Sequence, residues 1–474
     1  MKFKVYLGLF FLLSFSSCNK NLVNGLDNSL NTHNSVNLSH QPTALKSNAC
    51  FYIKTSNNKY ISLEKTSFRE EFPKSDNSLF CFYSIEGQYR IRSATDGSYV
   101  SAANNNMVEK MPTAAGWENF ISVQLENGLY AFKTFHNTYL SINANGELIQ
   151  TDSLSFKNSS FYLENINIVQ NSTIGDYKNF GRFGNQIFQY LFLKVYALKH
   201  GYEVRTRPWD GNFFYNLTDA KANLHLPPVS DMEWSVCDYN ENLTKSYTDL
   251  NISPFNSHDI RGYFLFHNSH HKEHKEYIRT LFQVKPEIQN DFNKALIAMR
   301  SHGKKILAIH MRRDDGVQTP LNLYVDFVKN NYEKLGNPVI YLASDGLNQV
   351  MNKLDIHFPD FRNKYKVYTE NDFLNLLNPE YLKGKDSGHA YFFDFYILTK
   401  ADFLATSVST FSNAAALLND TAEKNQNETG IPAFYRPYTL PHSYVDGKWN
   451  FVANSMIQFN PWNIYPARPD NDDN

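Results

Sequence analysis

The sequence predicts a multidomain protein, an all-β N-terminal domain followed by an α/β region. Three observations carry this expectation. A Tyr-apolar-Ser element recurs at Tyr60, Tyr99 and Tyr139, a spacing of about 40 residues. From Ile174 the repeat stops, and apolar runs alternate with longer helical patterns. The 474 residues leave room for about two to four domains at roughly 100–200 residues each.

Each repeat reads as two short alternating runs around an Asn, Asp or Gly turn, as at Asn57-Asn58 and Asp96-Gly97, which is a hairpin signature. An aromatic run closes each unit: Phe80-Cys81-Phe82, then Trp117 to Phe120, then Phe161-Tyr162-Leu163. Three such units fill residues 48–168, too few for a propeller, so a β-trefoil is expected. Tyr60, Tyr99 and Tyr139 could stack on sugar rings, but periodic recurrence favours a role as core hairpin residues. Cys50 and Cys81 fall within this unit, where a disulfide and two free thiols are both open readings.

Ahead of the repeats, residues 1–18 have the basic start, short apolar run and small-residue end of an export signal. The apolar run is too short to span a bilayer, which needs about 20 residues. Residues 19–47, rich in Asn, Ser, Thr and His, read as a flexible tether. Hydrophobic residues at 42% and charged residues at 20% argue against whole-chain disorder. A net charge of -1 argues against nucleic acid as a partner, because phosphate recognition needs a basic face.

The α/β region is expected in two layers, residues 172–300 and 301–460, with a tail at 461–474. Its first motif, Gly181-Arg182-Phe183-Gly184-Asn185-Gln186, has two glycines that let backbone approach a ligand at the mouth of a helix over 187–200. A plain glycine turn with Asn185 as a cap is the equal alternative. His270 and His274 stand four apart, a metal-capable spacing, yet Lys272 and Lys275 favour a solvated face. The apolar run that ends in His310-Met311-Arg312-Arg313-Asp314-Asp315 reads as a strand whose basic end could grip a diphosphate, with a surface ion pair as the alternative. A second strand ends at Ala343-Ser344-Asp345-Gly346. A third run, with Asp394 and then Ser409-Thr410-Phe411-Ser412, reads as helix, strand and a hydroxyl-rich turn opening another helix, which suits a phosphate or is an ordinary cap.

The order of these pieces resembles GDP-fucose-dependent fucosyltransferases, most of all the α-1,2-fucosyltransferase family, glycosyltransferase family 11-like. Gly181 to Gln186, Pro208-Trp209 and the stretch from Asp394 to Phe411 are also similar to protein O-fucosyltransferases. The match spans about residues 175–420, half of the chain. The repeat region resembles the fascin-like branch of the trefoils, in which Lys-Tyr-apolar-Ser recurs. The pattern Phe-Ser-Ser-Cys18 resembles a bacterial lipoprotein cleavage box, an ordinary signal peptide being the alternative.

The resemblance implies a GT-B-like region of two Rossmann-like lobes that moves fucose from GDP-fucose to a glycan or protein hydroxyl with inversion. It implies no metal, and the motif region has no Asp-x-Asp box. Arg312 would contact the diphosphate with Arg313 supporting it, and His310 and Asp315 would shape the nucleotide pocket. Asp345 and Ser409, Thr410 and Phe411 would hold base, ribose or phosphate. Gly184 belongs to the donor side, and Asn185 would sit near the sugar. Arg312, Asn185 and Asp315 are thus the expected catalytic set. Asp176 and Asp210 lie near the first motif in sequence without a role assigned. Departures are Asp314 and Gly316, where the family has Gly and Tyr, and Asn413 and Ala414, where it has tryptophans. The expected partners are a nucleotide sugar, a glycan or glycoprotein acceptor, and a polysaccharide or protein at the trefoil. Membrane contact would come only through a lipid on Cys18 of an exported lipoprotein facing away from the cytoplasm, a secretory-pathway lumen being the alternative. The other functional reading is an exported carbohydrate-binding lipoprotein with a non-catalytic glycosyltransferase-like domain.

Overall fold

The computed structural model describes residues 45, 47–65, 67–231, 238–313, 319–377, 390–445 and 448–466. The signal, Cys18, Cys237, Asp314 and Asp315 lie outside the described residues. Two compact units emerge: one holds the chain up to Ile166 together with Leu224–Leu243, the other Asn167–Asn223 and Thr244–Asn474.

Among the described residues, one sheet of the first unit is built from twelve strands: β1 (Ala49–Thr55), β2 (Tyr60–Leu63), β3 (Phe68–Glu71), β4 (Leu79–Ile85), β5 (Gln88–Ser93), β6 (Tyr99–Ala102), β7 (Val108–Met111), β8 (Asn119–Gln124), β9 (Tyr130–Lys133), β10 (Tyr139–Ile142), β11 (Leu148–Thr151) and β12 (Phe161–Asn165). Alternation makes them strands: in β5, Tyr89, Ile91 and Ser93 are buried, while Gln88, Arg90 and Arg92 are half-buried. The turns between β1 and β2, β5 and β6, and β9 and β10 place Asn58, Gly97 and Asn137 at φ +58°, +74° and +63°, the left-handed region that Asn and Gly tolerate. Each recurrent tyrosine then faces a basic residue across its hairpin: Lys54 opposite Tyr60, Arg92 opposite Tyr99, Lys133 opposite Tyr139. Tyr60 is buried and its hydroxyl donates to Glu164 at 2.9 Å, so it is a framework residue.

Pairing does not stop at the hairpins. β1 pairs with both β4 and β12, and β5 and β9 each pair with β8. Phe80, Phe120 and Phe161, the aromatic of each repeat's last strand, are almost wholly buried in one core with Phe82 and Phe132. Each such ring contributes about 1.5–3 kcal/mol by leaving water. Cys50 and Cys81 face one another on β1 and β4 and form a disulfide.

The second unit opens with β13 (Ile168–Asn171), α1 (Tyr177–Phe180), α2 (Phe183–His200), β14 (Glu203–Thr206), α3 (Asp210–Phe214) and β15 (Ala220–Lys221). A short strand, β16 (Pro228–Ser230), lies in the segment that belongs to the first unit. There follow α4 (Asn242–Thr248), β17 (His258–Arg261), α5 (Lys275–Leu281), α6 (Pro286–His302), β18 (Ile306–Met311), α7 (Leu321–Asn331), β19 (Val339–Ser344), α8 (Leu347–His357), α9 (Phe361–Lys364) and β20 (Val367–Tyr368). The last elements are α10 (Ala390–Lys400), β21 (Phe403–Ala405), α11 (Thr410–Leu418), α12 (Asp420–Thr429), β22 (Phe434–Val445) and β23 (Lys448–Gln458). In one sheet β14 and β17 flank β13 in parallel, with β15 beyond β14. The other sheet runs β20-β19-β18-β21-β22-β23. It is parallel up to β22 and antiparallel between β22 and β23.

The expected β-trefoil followed by a two-lobed GT-B-like region of Rossmann-like lobes is corrected by this architecture. The N-terminal strands are joined as one large antiparallel sheet of 12 strands, and the rest is a helical and mixed region. The repeat dictates local hairpins, whereas pairing between repeats is long-range and merges them. Likewise, local α/β periodicity marks strands and helices but not the number of compact bodies; residues 172–300 and 301–460 share one unit apart from the Leu224–Leu243 segment.

Candidate functional site

The chain visits β18, then β19 and β20 on one side of it, then β21 and β22 on the other. The strand order therefore reverses between β18 and β21. Such a reversal leaves a crevice beyond the carboxyl ends of the two strands, because their following segments turn away from each other. All six residues of β18 are buried, which fixes where its end delivers the residues that follow.

His310 and Ser407 meet at the carboxyl ends of β18 and β21. The His310 Nδ1 and the Ser407 hydroxyl are 2.8 Å apart, and the imidazole centroid is 5.2 Å from that of Phe411. Burial pushes the His310 imidazole down to about 4, with Arg312 adding to this and Asp345 opposing it. The ring is thus neutral at pH 7 and is available as a hydrogen-bonding group, not a cation. Arg312 follows β18, and its Nη1 donates to the carbonyl of Val408 at 3.4 Å. The guanidinium is thereby tied to the turn that opens α11, the same turn in which the Ser409 hydroxyl accepts from the Phe411 N–H at 3.3 Å.

Arg313 is buried, and its backbone N–H donates to Asp345 Oδ1 at 2.6 Å. Burial lowers its guanidinium from the usual value, while Tyr324 and Asp345 oppose that. The Ser344 hydroxyl donates to the Met311 carbonyl at 2.6 Å, locking the ends of β18 and β19 together. Asp345 is exposed at the rim. Asp394 behaves differently: it is buried, accepts from the Tyr341 hydroxyl, and burial raises its carboxyl well above the usual range. Its place is in the packing of α10 against β19.

The first motif reaches the same turn. A Cβ on Gly184 would lie 2.4 Å from the Phe411 nitrogen and 2.7 Å from the Thr410 carbonyl carbon. Only glycine permits that approach, so the start of α2 lies against the start of α11. The helix begins at Phe183, earlier than the expected 187. Gly181 has φ +83°, and the Asn185 side chain folds back over it. Asn185 Oδ1 finds no hydrogen-bond partner among the described residues. Gln186 is fully buried, and its amide lies beside the Tyr177 hydroxyl without a hydrogen bond of good geometry.

Asp210 has partners that sequence reading missed. Its Oδ2 accepts from the hydroxyls of Tyr177 and Tyr391. Burial, then the hydrogen bond to Asp210 and its charge, raises both phenols. Tyr391 also packs 5.4 Å from Phe183, beside Gly184. Asp176 instead caps α1, accepting from the N–H groups of Lys178 and Asn179. No local signal marks Tyr391, which is 181 residues from Asp210.

The structure thus gathers His310, Arg312, Ser409, Thr410, Phe411 and Gly184 around one turn and joins Arg313 to Asp345. Asp315 is outside the described residues. Among the described residues no group of three or more His, Cys, Asp or Glu could hold a metal ion, His270 and His274 included. No helix among them is long and apolar enough to cross a membrane.

No family model matches the chain, and no curated protein matches it. Among solved structures, a GlcNAc[alpha]1-4Gal releasing endo-[beta]-galactosidase from Clostridium perfringens is similar over 24% of this chain and 32% of that one, at 13% identity and a TM-score of 0.23. The likeness spans about a third of that protein's length, and at such a score it establishes neither a shared fold nor a shared function.

Proposed function

We propose that the second unit is a glycosyltransferase that moves fucose from GDP-fucose to a glycan or protein hydroxyl, with inversion and without a metal. The reading rests on the ordered motifs, and one observation carries it: the basic end of β18 and the hydroxyl-rich start of α11 meet where the strand order reverses. The start of α11 contributes the Ser409 and Thr410 hydroxyls, and Arg312 adds a positive charge at the Val408 carbonyl just before them.

In the reaction, the bond between the sugar carbon and the diphosphate oxygen breaks, and its electron pair leaves with GDP. The acceptor oxygen forms the new bond from the opposite face, and its proton passes to solvent. Arg312 stabilises the growing diphosphate charge, while neutral His310 and the Ser409 turn hold the nucleotide without adding a cation. The exported setting rests on the residues 1–18 pattern alone.

Titration calorimetry with GDP and GDP-fucose tests the reading, and micromolar GDP binding is expected. Arg312→Ala should lower turnover about 100–1000-fold with unchanged thermal unfolding. Transfer at the wild-type rate in that variant removes the assignment. Absence of GDP binding turns the reading to a non-catalytic carbohydrate-binding protein.

A further inference from the structure

The first unit contains its own internal control for what its fold requires. Counting back four residues from Tyr60, Tyr99 and Tyr139 places Ser56-Asn57, Thr95-Asp96 and Phe135-His136 at the same two turn positions. Counting back three from Phe80, Phe120 and Phe161 places Asn77, Trp117 and Asn158 at one loop position. These loops and turns meet in pairs at three corners. Ala94, beside the Thr95-Asp96 turn, donates to the carbonyl of Leu79 at 2.9 Å; the Ser56 hydroxyl donates to the carbonyl of Lys157, next to Asn158, at 2.5 Å; and the His136 ring lies 5.8 Å from that of Trp117. Two corners are built from Asn, Ser, Thr and Asp. Only the corner of Trp117 and Phe135-His136 carries rings at these compared positions, and it draws them from two different repeats.

Those rings are not required by the core. Trp117 is 40% exposed and Phe135 60% exposed, and the other corners close with polar residues in their places. Yet they are held. His136 lies between them, its centroid 5.8 Å from Trp117 and 5.6 Å from Phe135. Its Nε2 is 3.0 Å from the carbonyl of Ala102, the residue whose N–H holds Trp117. A carbonyl only accepts, so Nε2 donates to it, and in the neutral tautomer Nδ1 is the acceptor. The turn is fixed further by Thr134, Thr138 and Gln150, whose amide donates to the carbonyls of Ala103 and Met107. Phe135 rests on the backbone of Gly116, where a Cβ would sit 3.7 Å from its ring. Glu118, the nearest acid in the loop, is buried and accepts from the Ala115 N–H, so the corner presents no carboxylate of its own.

We propose that the Trp117, Phe135 and His136 corner is a binding site for a neutral glycan, taking the apolar face of a pyranose ring against the aromatic rings. The rings meet at 53° and 86°, an angled seat and not a flat one. Aromatic faces beside a fixed acceptor match a sugar, which presents C–H groups on one face and hydroxyls at its edge. Three rings are much too small for a stable protein interface, which buries about 800 Å² per partner. The site lies in the first unit, so it stands or falls separately from the transferase reading.

The test is affinity electrophoresis of the full chain through gels containing soluble galactomannan, mixed-linkage β-glucan or xyloglucan. The wild type should be retarded by at least one. Trp117→Asn and Phe135→Ser import the residues of the other corners, so the fold tolerates them, and each should weaken retardation at least tenfold. Phe156→Ser, at an exposed aromatic beside the Ser56 corner, should leave it unchanged. No retardation in any gel overturns the proposal. So does retardation that survives both corner substitutions, or that Phe156→Ser abolishes equally.

Discussion

Replacing Gly184 with alanine probes the contact on which the second unit's site depends. At an unhindered position near a helix start, alanine would stabilise by up to about 1 kcal/mol over glycine. Here the new Cβ would sit 2.4 Å from the Phe411 nitrogen, about 1 Å inside ordinary contact, with Phe411 Cα and the Thr410 carbonyl carbon both at 2.7 Å. All three are backbone atoms of the start of α11, and no side-chain rotation can relieve them. Overpacking of this kind costs about 1–3 kcal/mol, enough to outweigh the helix preference. The relief available is for α2 and α11 to separate, which disturbs the turn that Arg312 and His310 hold. We expect the second unit's calorimetric transition to fall by a few degrees and GDP affinity to fall at least tenfold. Leu198→Ala, on the exposed side of the same helix, should leave GDP affinity unchanged. If Gly184→Ala melts and binds GDP like the wild type, the close approach of the two helices is not what builds the site.

Two further outcomes follow from the described geometry. Removing the Cys50–Cys81 disulfide, which joins residues 31 apart, by Cys50→Ala with Cys81→Ala should cost the first unit about 3–4 kcal/mol in urea unfolding on the loop-entropy account; a loss below 1 kcal/mol would refute it. His310 has a folded pKa of about 4 against 6.5 unfolded, so the unfolded chain binds more protons between those values. Its contribution is full above pH 6.5 and falls as pH drops toward 4, by about 2–3 kcal/mol. Buried His271, pushed down to about 3, adds to the same slope, so His310→Gln should flatten the curve without abolishing it. An unchanged slope in that variant would contradict the burial of a neutral imidazole.

What the sequence made legible was local. Tyr60, Tyr99 and Tyr139 marked three hairpins because a two-residue period and left-handed turn residues act within about ten positions. The apolar runs before Arg312 and Asp345 marked β18 and β19 for the same reason. The global architecture was not legible. Nothing near Phe51 indicates that β1 will pair with β12, more than a hundred residues away, and nothing near Ile174 fixes the number of compact bodies. The candidate site divides along the same line. His310, Arg312 and Ser409 were marked by strand and cap chemistry. The Tyr177 and Tyr391 hydroxyls on Asp210, and the seat of Gly184 against Phe411, depend on residues distant in the chain. The disulfide stood between these cases, since two cysteines in one repeat permit pairing but only strand register brings them face to face.

The return of Leu224–Leu243 to the first unit has a consequence for how this polypeptide can be made and divided. His225 donates to the carbonyl of Ala94 at 2.6 Å, so a stretch translated after α2 and β14 helps to complete a structure begun with β1. On the ribosome, the first unit cannot acquire all of its contacts until residue 243 has emerged, by which time the residues of β13, α2 and β14 have already been made. The order of synthesis thus interleaves the two units. A fragment cut at Ile166 would follow the apparent boundary in the chain yet omit part of the body it was meant to isolate.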